Sequence, residues 1–271
     1  MVDSTLEKIK QFSDDQFSNE NRLKARIQIY EFCEQKINWH QWVFDRLNFS
    51  NVARILELGC GNGQLWANNT HRLPENINIV LTDVSEGMVD AARKELSEYD
   101  NRFEFRVTDA SETPFEDNRF QMIIANHMLN LIEDKEQVFS EIERLLADNG
   151  YVYASTLSTM NFHELFNIAG EFDKNMELDS TELIKSFNLE NGEEVISRYF
   201  NVENSYIYQN DVIVKNTEPL ILYLASCYAM EQLAILIDSI NDFREFLDSI
   251  IRETGEIRIT NKTVLFKFRK K

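Results

Sequence analysis

The sequence has few of the residues that interrupt or cross-link a chain. Of 271 residues, eight are glycine, three are proline and three are cysteine. Cys33, Cys60 and Cys227 are odd in number and lie far apart, outside any paired motif, which argues against a disulfide framework or a zinc site. The four histidines show no metal-ligand spacing either. We therefore expect no metal site.

Positive charge and long apolar runs are also scarce. The chain has 28 Lys and Arg against 46 Asp and Glu, a net charge of −18, which opposes binding to a polyanion. The only basic run is the short tail KFRKK at 267–271. No apolar run reaches the ~18 residues of a membrane span, and the first residues, MVDSTLEKIKQF, have no apolar signal core. We expect a cytoplasmic protein that binds neither nucleic acid nor membrane.

Three of the eight glycines fall within five residues, directly after a short apolar stretch. The segment VARILELGCGNG at 52–63 contains Gly59, Gly61 and Gly63. Its branched side chains are typical of a buried parallel strand. A glycine-rich turn from strand to helix lets a ligand lie against bare backbone, although an ordinary βα turn would also explain a lone glycine cluster. A helix is predicted to follow over 64–72 and to end before Pro74.

A second apolar stretch, INIVLTD at 77–83, ends in Asp83, 20 residues after Gly63. In a βαβ unit this carboxylate lies beside the first turn, where it can accept hydrogen bonds from both ribose hydroxyls of a nucleoside. The ligand is therefore expected to be adenosyl, either a dinucleotide or S-adenosylmethionine. The dinucleotide pattern G-x-G-x-x-G requires glycine at position 64, where this chain has Gln64.

The motif series resembles the class I S-adenosylmethionine-dependent methyltransferases. ELGCGNG at 57–63 resembles their first motif. The later motifs are matched by TDVS at 82–85 with Met88, TDA at 108–110 followed by Pro114 and Phe115, FQMIIANH at 120–127, and EIERLLADNGYVY at 141–153. The likeness covers about residues 50–156 and is strongest to the ubiquinone/menaquinone-type, or type 11, small-molecule branch. One departure is Asp148-Asn149-Gly150 in place of the usual Pro-Gly-Gly turn; Asn-Gly is also a good turn pair.

The resemblance implies S-adenosyl-L-methionine as the cofactor and assigns residues to it. Glu57 would help to place the methionyl ammonium, Asp83 would hold the ribose, and Asp109 and Ala110 would contact adenine. The other expected cofactor-binding residues are Gly59, Cys60, Gly61, Gly63, Val84, Met88 and Asn126.

The methyl acceptor decides whether a base is needed. A neutral oxygen or nitrogen acceptor needs one, whereas a carbon acid or thiolate does not. His127, at the end of the fourth predicted strand, is the first candidate and His163 the second, because imidazole titrates near neutrality. Each could instead line the cleft or cap a helix. Tyr30, His127 and His163 are expected to line the acceptor pocket, and Arg22 or Arg26 could pair with the methionyl carboxylate.

The chain is predicted to be an α/β protein with a Rossmann-like, doubly wound, mostly parallel seven-stranded sheet, an antiparallel last strand and a helical cap. Core strands are expected near 53–58, 77–82, 103–108, 120–125 and 150–156, and the last two near 202–208 and 263–268. We expect a single domain with three parts, which are an N-terminal helical flap at 1–48, an S-adenosylmethionine-binding core at 49–156, and cap insertions with the last strands at 157–271.

These features predict an S-adenosylmethionine-dependent methyltransferase that acts on a small, partly apolar metabolite by in-line methyl transfer. A non-catalytic S-adenosylmethionine-binding protein shares the same binding motifs. A nucleic-acid methyltransferase is disfavoured by the charge and by Asn126-His127-Met128-Leu129, which replaces an Asn-Pro-Pro-Tyr-type motif. A nicotinamide oxidoreductase is disfavoured by Gln64.

Overall fold

The computed structural model describes residues 4–12, 20–178 and 184–271. Contacts divide the chain into two compact units. We call one the sheet unit, Ile37–Thr159, Thr181–Tyr208 and Thr263–Lys271, and the other the helical unit, Met1–Lys36, Met160–Ser180 and Gln209–Lys262. The predicted division into flap, core and cap follows other boundaries and remains a prediction.

The described strands and helices follow one another in alternation through the first part of the sheet unit. The strands are β1 Arg54–Leu58, β2 Asn78–Asp83, β3 Phe103–Val107, β4 Phe120–Asn126, β5 Leu146–Leu157, β6 Phe200–Gln209, β7 Val212–Val214, β8 Ile257–Ile259 and β9 Lys262–Lys270. The helices are α1 Ser4–Gln11, α2 Glu20–Gln28, α3 Trp39–Phe44, α4 Gln64–Ala67, α5 Glu86–Glu95, α6 Lys135–Leu145, α7 His163–Phe172, α8 Gly192–Ser197, α9 Glu218–Cys227 and α10 Met230–Thr254.

A seven-stranded sheet in the order β3-β2-β1-β4-β5-β9-β6 forms the sheet unit. The pairs β1–β2, β2–β3, β1–β4 and β4–β5 are parallel, and β5–β9 is antiparallel. The predicted mostly parallel sheet with an antiparallel last strand is confirmed. Strand order reverses between β1 and β4, and ligands bind at the carboxyl ends of strands beside such a switch point.

Both faces of this sheet are covered by apolar side chains. Along β1, Ile55 belongs to one buried cluster and Leu56 to another. On β4, Met122 belongs to the first of these clusters and Ile123 to the second, because successive side chains of a strand point to opposite faces. Burial on both faces explains the continuous apolar runs of β1 and β4 in the sequence.

Asparagines shorten the helix predicted over 64–72. α4 ends at Ala67, and a 3₁₀ turn, Thr70–Arg72, follows it. The Asn68 amide donates to the Gln64 carbonyl oxygen at 2.8 Å, and the Asn69 amide donates to that of Leu65 at 2.8 Å. Side-chain bonds of this kind compete with helix propagation.

The turn expected at Asp148-Asn149-Gly150 lies instead inside β5. β4 pairs Phe120 with Leu146 and Met122 with Tyr151. Between these two pairs β5 has residues 147–150, whereas β4 has only Gln121. Residues 147–150 therefore form a bulge in β5.

The helical unit contains α1, α2, α7, α9 and α10 around one apolar cluster, with an antiparallel β7–β8 pair. The apolar stretch at 217–253 is divided between α9 and α10 at Tyr228, whose hydroxyl donates to the Met176 carbonyl oxygen at 2.8 Å. The last strand, expected near 263–268, is β9, and the short strand β8 precedes it. Within the described ranges, no helix combines the length and apolar character required to cross a membrane.

Candidate functional site

The glycine turn at the carboxyl end of β1 has three left-handed residues. Gly59, Gly61 and Gly63 have φ angles of +68°, +53° and +77°, which side chains with a Cβ rarely adopt. A Cβ on Gly63 would lie 3.2 Å from the Ala92 Cβ of α5, whereas one on Gly61 would meet nothing within 4 Å. Gly63 thus allows close packing of α5, and Gly61 leaves bare backbone facing open space.

Asp83, the last residue of β2, joins this turn to the start of α5. Its Oδ2 accepts the Gly61 N–H at 3.0 Å, and its Oδ1 accepts the Ser85 N–H at 2.9 Å. The Cys60 N–H donates to the Thr82 carbonyl oxygen at 2.8 Å. Two backbone bonds therefore hold the half-buried Asp83 carboxylate beside the turn, and each of its oxygens retains a lone pair for a ligand hydroxyl.

Glu57 is a buried carboxyl group just before the turn, with only 2% of its surface exposed. Loss of hydration raises its pKa to about 8; the Trp66 and Asn126 side chains oppose the rise, and the Asp83 charge adds to it. The Trp66 Nε1–H donates to Glu57 Oε2 at 2.6 Å. At neutral pH Glu57 is therefore mostly protonated, and a nearby cation would favour its ionisation.

Cys60 is buried within the turn, and burial raises the pKa of its thiol, with Glu57 and Asp83 adding to the effect. A thiol that stays protonated is a poor nucleophile. Cys60 therefore contributes backbone and packing rather than reactivity.

Further residues expected to bind the cofactor, among them Asp109 and Ala110 for adenine, lie after β2 and β3. Val84 is 72% exposed, which is unusual for a valine that follows a buried strand. The Ser111 N–H and hydroxyl donate to Asp109 Oδ1 at 2.8 and 2.7 Å and hold the pKa of this exposed carboxyl below its ordinary value. Ala110 is buried, and Met88 is half-buried in the first turn of α5. An exposed apolar side chain and an ionised carboxylate suit the face and amino edge of a purine.

Asn126 and His127 end β4 and are fixed by Ser155 of β5. The Ser155 hydroxyl donates to Asn126 Oδ1 at 3.0 Å and accepts the His127 N–H at 3.2 Å. His127 has a φ of +50°, an uncommon conformation for a residue other than glycine. Non-glycine residues held in this region cluster at functional sites.

His127 belongs to an aromatic cluster that we define as Trp39, Trp42, Tyr208 and His127. The Trp39 ring centroid lies 5.1 Å from that of His127, 5.3 Å from that of Trp42 and 5.3 Å from that of Tyr208. Burial, with a smaller contribution from nearby His40, lowers the pKa of His127 to about 4; burial also lowers the pKa of His40 to about 4. Both imidazoles are neutral at pH 7, so His127 can accept a hydrogen bond but is a weak base.

Several neighbours of these residues were not predicted from the sequence. Trp66 and Ser155 contact predicted site residues directly, and His40 acts on His127 electrostatically. Ser155 lies opposite Asn126 in the β4–β5 register, so a known register would have revealed it. Trp66 lies in the first turn of the helix after Gly63, a position from which it can face β1. Nothing in the sequence singles out His40.

Tyr30 and His163 lie in the helical unit, whereas the residues described above lie in the sheet unit. The Tyr30 ring meets the Phe162 ring edge-on at 6.0 Å. His163 Nδ1 lies 2.7 Å from the Met160 carbonyl oxygen and 3.2 Å from Glu164 Oε2. Their predicted roles in acceptor binding and catalysis remain predictions.

Arg22 and Arg26 also lie in the helical unit and contact the carboxyl end of α9. Arg26 donates to the Ser226 carbonyl oxygen at 2.7 Å, and Arg22 donates to that of Tyr228 at 3.0 Å. Cations at a helix carboxyl end are favourable, so this contact gives both arginines a structural role. Their pairing with a cofactor carboxylate remains a prediction. Among the described side chains, no three His, Cys, Asp or Glu residues are grouped as metal ligands.

Comparison with known proteins yields one family. The family model described as a methyltransferase domain matches residues 49–210. A malonyl-[acyl-carrier protein] O-methyltransferase from Legionella pneumophila is 30% identical over 125 residues, which are 45% of this chain and 43% of that protein. A ubiquinone/menaquinone biosynthesis C-methyltransferase from Geotalea daltonii is 25% identical over 127 residues, 46% of this chain and 54% of the relative. The chain spans about half the length of these relatives.

The fold has solved counterparts as well. The crystal structure of an S-adenosylmethionine-dependent methyltransferase from Aquifex aeolicus matches with a TM-score of 0.51 and 13% identity, over 74% of this chain and 90% of that one. At this identity the likeness concerns the fold alone.

Proposed function

Because the chain belongs to the methyltransferase-domain family, whose cofactor is S-adenosyl-L-methionine, we propose that it transfers a methyl group from this cofactor to a small, partly apolar metabolite in the cytosol. The observation that carries the proposal is the Asp83 carboxylate, held by the Gly61 and Ser85 N–H groups beside an open, left-handed glycine turn. That arrangement lies at the carboxyl end of β1, next to the switch point of the sheet.

The chemistry of these residues fits an S-adenosyl group. The space above Gly61 is open, so a nucleoside can approach the backbone. The exposed Val84 offers an apolar face beside a carboxylate that can accept from ribose hydroxyls. The buried Glu57 carboxyl has no cationic partner among its described contacts, and an ammonium group would supply one.

Each part of the cofactor thus has a proposed partner in the sheet unit. Asp83 would hold the ribose, while Val84, Asp109 and Ala110 would hold adenine. Glu57 and Asn126 would hold the methionyl end. The other contacts would come from Gly59, Cys60, Gly61, Gly63 and Met88.

The protein's contribution to the reaction would be alignment and exclusion of water. When bound, the cofactor supplies an activated methyl group on a sulfonium. His127, fixed by Ser155 and by the Trp39 ring, would present a neutral imidazole nitrogen toward the acceptor and accept a hydrogen bond from it where the acceptor is an alcohol or amine. With a pKa of about 4, His127 would orient such an acceptor more effectively than it would deprotonate it.

Charge and aromatic residues support a small, partly apolar acceptor. The net charge of −18 disfavours a nucleic acid. Trp39 and Tyr208 offer ring edges and faces beside His127, of the kind that line small-molecule pockets. The names of the two relatives, which refer to ubiquinone/menaquinone biosynthesis and to malonyl-[acyl-carrier protein], agree with an acceptor from metabolism rather than a nucleic acid.

The proposal is tested by transfer of labelled methyl groups from S-adenosyl-L-methionine to a metabolite extract, with total RNA and DNA in parallel. We expect label in a small-molecule fraction and none in nucleic acid. Calorimetry with S-adenosyl-L-methionine, its demethylated product and NAD reports cofactor binding separately. Binding without transfer to any fraction would favour a non-catalytic binding protein, and binding of NAD alone would refute the proposed cofactor.

A further inference from the structure

A cavity opens at the end of the sheet where strands β1 to β4 begin. It has a volume of about 220 Å³. The first residues of β1 to β4 line it, and these strands are neighbours in the sheet. The proposed cofactor site lies at the carboxyl ends of the same strands, so this cavity is separate from it.

Three arginines, Arg54, Arg102 and Arg119, line this cavity together with a single acidic side chain, Glu104. Glu104 already accepts a hydrogen bond from Arg106 Nε at 2.7 Å. None of the three arginines has an ion pair with a described carboxylate. In a chain with 46 acidic residues and 28 basic ones, three such arginines around one cavity form a local positive region against the overall charge.

The side chain of Arg119 is the most informative of the three. Its Nε is buried and has no hydrogen-bond partner among the described atoms. Its guanidinium lies 5.4 Å from the Phe115 ring centroid and 5.6 Å from that of Phe120, so two aromatic rings hold it in place. Buried polar groups are nearly always bonded, and an orphan donor points to a missing partner. Here that partner would be an acceptor.

The other cavity residues add donors from different strands. Arg102 is fixed by bonds from its guanidinium to the carbonyl oxygens of Leu73, at 3.2 Å, and Pro74. Arg54 is exposed at the start of β1. Asn78 and Asn101 carry amide groups at the same rim. The donors therefore come from the starts of four neighbouring strands.

We propose that this cavity binds a small phosphate-bearing anion. Guanidinium groups match phosphate oxygens in geometry and charge. Three of them offer more charge-assisted donors than one carboxylate can accept. The attraction between a ligand and the three nearby guanidinium groups grows with the negative charge of the ligand. A ligand with two or more negative charges is therefore favoured at this local positive region. The volume is below the usual ~300 Å³ of a drug-sized pocket, so it suits a free phosphate group or the phosphate end of a larger metabolite.

The test uses inorganic pyrophosphate as the probe. Its binding is measured by calorimetry and ³¹P NMR at fixed ionic strength, and chloride and succinate serve as comparison anions. We expect pyrophosphate to bind at least tenfold more tightly than succinate. The double variant Arg54→Met and Arg119→Met should lose at least tenfold in pyrophosphate affinity, since methionine keeps apolar packing and removes the charge. The control Arg198→Met removes an exposed arginine paired with Glu194 and should bind pyrophosphate as the parent does.

Binding of S-adenosyl-L-methionine, measured on the same variants, checks that they are folded and should not change. Should the double variant fail to fold, the single variant Arg54→Met, at an exposed position, is tested instead. It should lose several-fold in pyrophosphate affinity. The proposal is overturned if pyrophosphate binds no more tightly than chloride or succinate. Equal losses in the control and the cavity variants would overturn it as well.

Discussion

The Trp66 indole donates a 2.6 Å hydrogen bond to the Glu57 carboxyl group, and both side chains are almost fully buried. Trp66 follows the glycine turn, and Glu57 precedes it. The bond therefore closes the base of the turn across nine residues and keeps the carboxyl group in place despite the cost of burying it. It also explains why an acid can remain in this position when the pKa of Glu57 is raised to about 8.

Cofactor binding should release a proton from Glu57. Glu57 is mostly protonated near pH 7, and a methionyl ammonium beside it would favour the ionised form. Calorimetry at pH 7 in buffers with different ionisation enthalpies should show release approaching one proton per cofactor. Glu57→Gln, which can still accept the Trp66 bond, should bind more weakly and release none. Proton release that is equal in both proteins would contradict the assignment.

The same carboxyl group should make the fold less stable as pH rises. The pKa of Glu57 is raised from 4.5 to about 8, so the folded state binds more protons than the unfolded state between these values, and the free energy of unfolding falls with rising pH. Near pH 6.5 the slope should approach about 1.4 kcal/mol per pH unit, and it should fall to about half of that at pH 8, where half of the folded molecules have lost the proton. Denaturant titrations should show a flatter profile for Glu57→Gln, and parallel profiles would argue against a buried neutral Glu57.

Asp83→Ala should weaken cofactor binding by roughly 1–3 kcal/mol, the range for loss of a charge-assisted hydrogen bond. The change also leaves the Gly61 and Ser85 N–H groups without their acceptor, so a small loss of stability is expected. Asp90→Ala is the matched control, because Asp90 is an exposed acid on α5 that pairs with Arg93. Calorimetry showing the same affinity for both variants would remove Asp83 from the site.

Gly61→Ala should separate ligand contact from backbone strain. Gly61 and Gly255 both have positive φ angles, +53° and +85°, and a Cβ on either would meet nothing within 4 Å of protein. Each alanine variant should therefore lose a similar amount of stability, roughly 1–2 kcal/mol. Only Gly61→Ala should also lose cofactor affinity, by tenfold or more, because its methyl group enters the proposed ligand space. Equal affinities in the two variants would place the cofactor elsewhere.

His40 and His127 should destabilise the fold in acid. Their pKa values are lowered from 6.5 to about 4. The unfolded state therefore binds more protons between these values, and stability present above pH 6.5 is lost as pH falls toward 4. His127→Asn should remove about 1–2 kcal/mol of that loss, and asparagine is chosen because it tolerates a positive φ. This value is smaller than the full pKa shift implies, because the His127 ring keeps some access to water.

The exposed His71 offers the control for this measurement. Unfolding titrations of His71→Asn at pH 7, 6 and 5 should follow the parent protein. If His127→Asn follows the parent too, the imidazole of His127 is not held neutral by its surroundings.

Local pattern determined the class of this protein. Apolar runs with branched side chains specified the strands β1, β2 and β4, because residues buried on both faces need no alternation of polar and apolar positions. The glycine spacing and Asp83 specified an adenosyl-type turn, because few residues other than glycine adopt the left-handed conformation found there. The resemblance drawn from these motifs is confirmed by the family model over residues 49–210.

Only the tertiary structure decided which residues surround those motifs. Ser155 reaches Asn126 through the β4–β5 register, and His40 reaches His127 across 87 residues of sequence. The bulge in β5 likewise depends on its pairing with β4, which local propensity does not encode. The three arginines that line the cavity at the strand starts are scattered from position 54 to 119 in the sequence. Sequence determines where strands form, whereas contacts between residues far apart in the chain depend on how those strands are ordered and registered in the sheet.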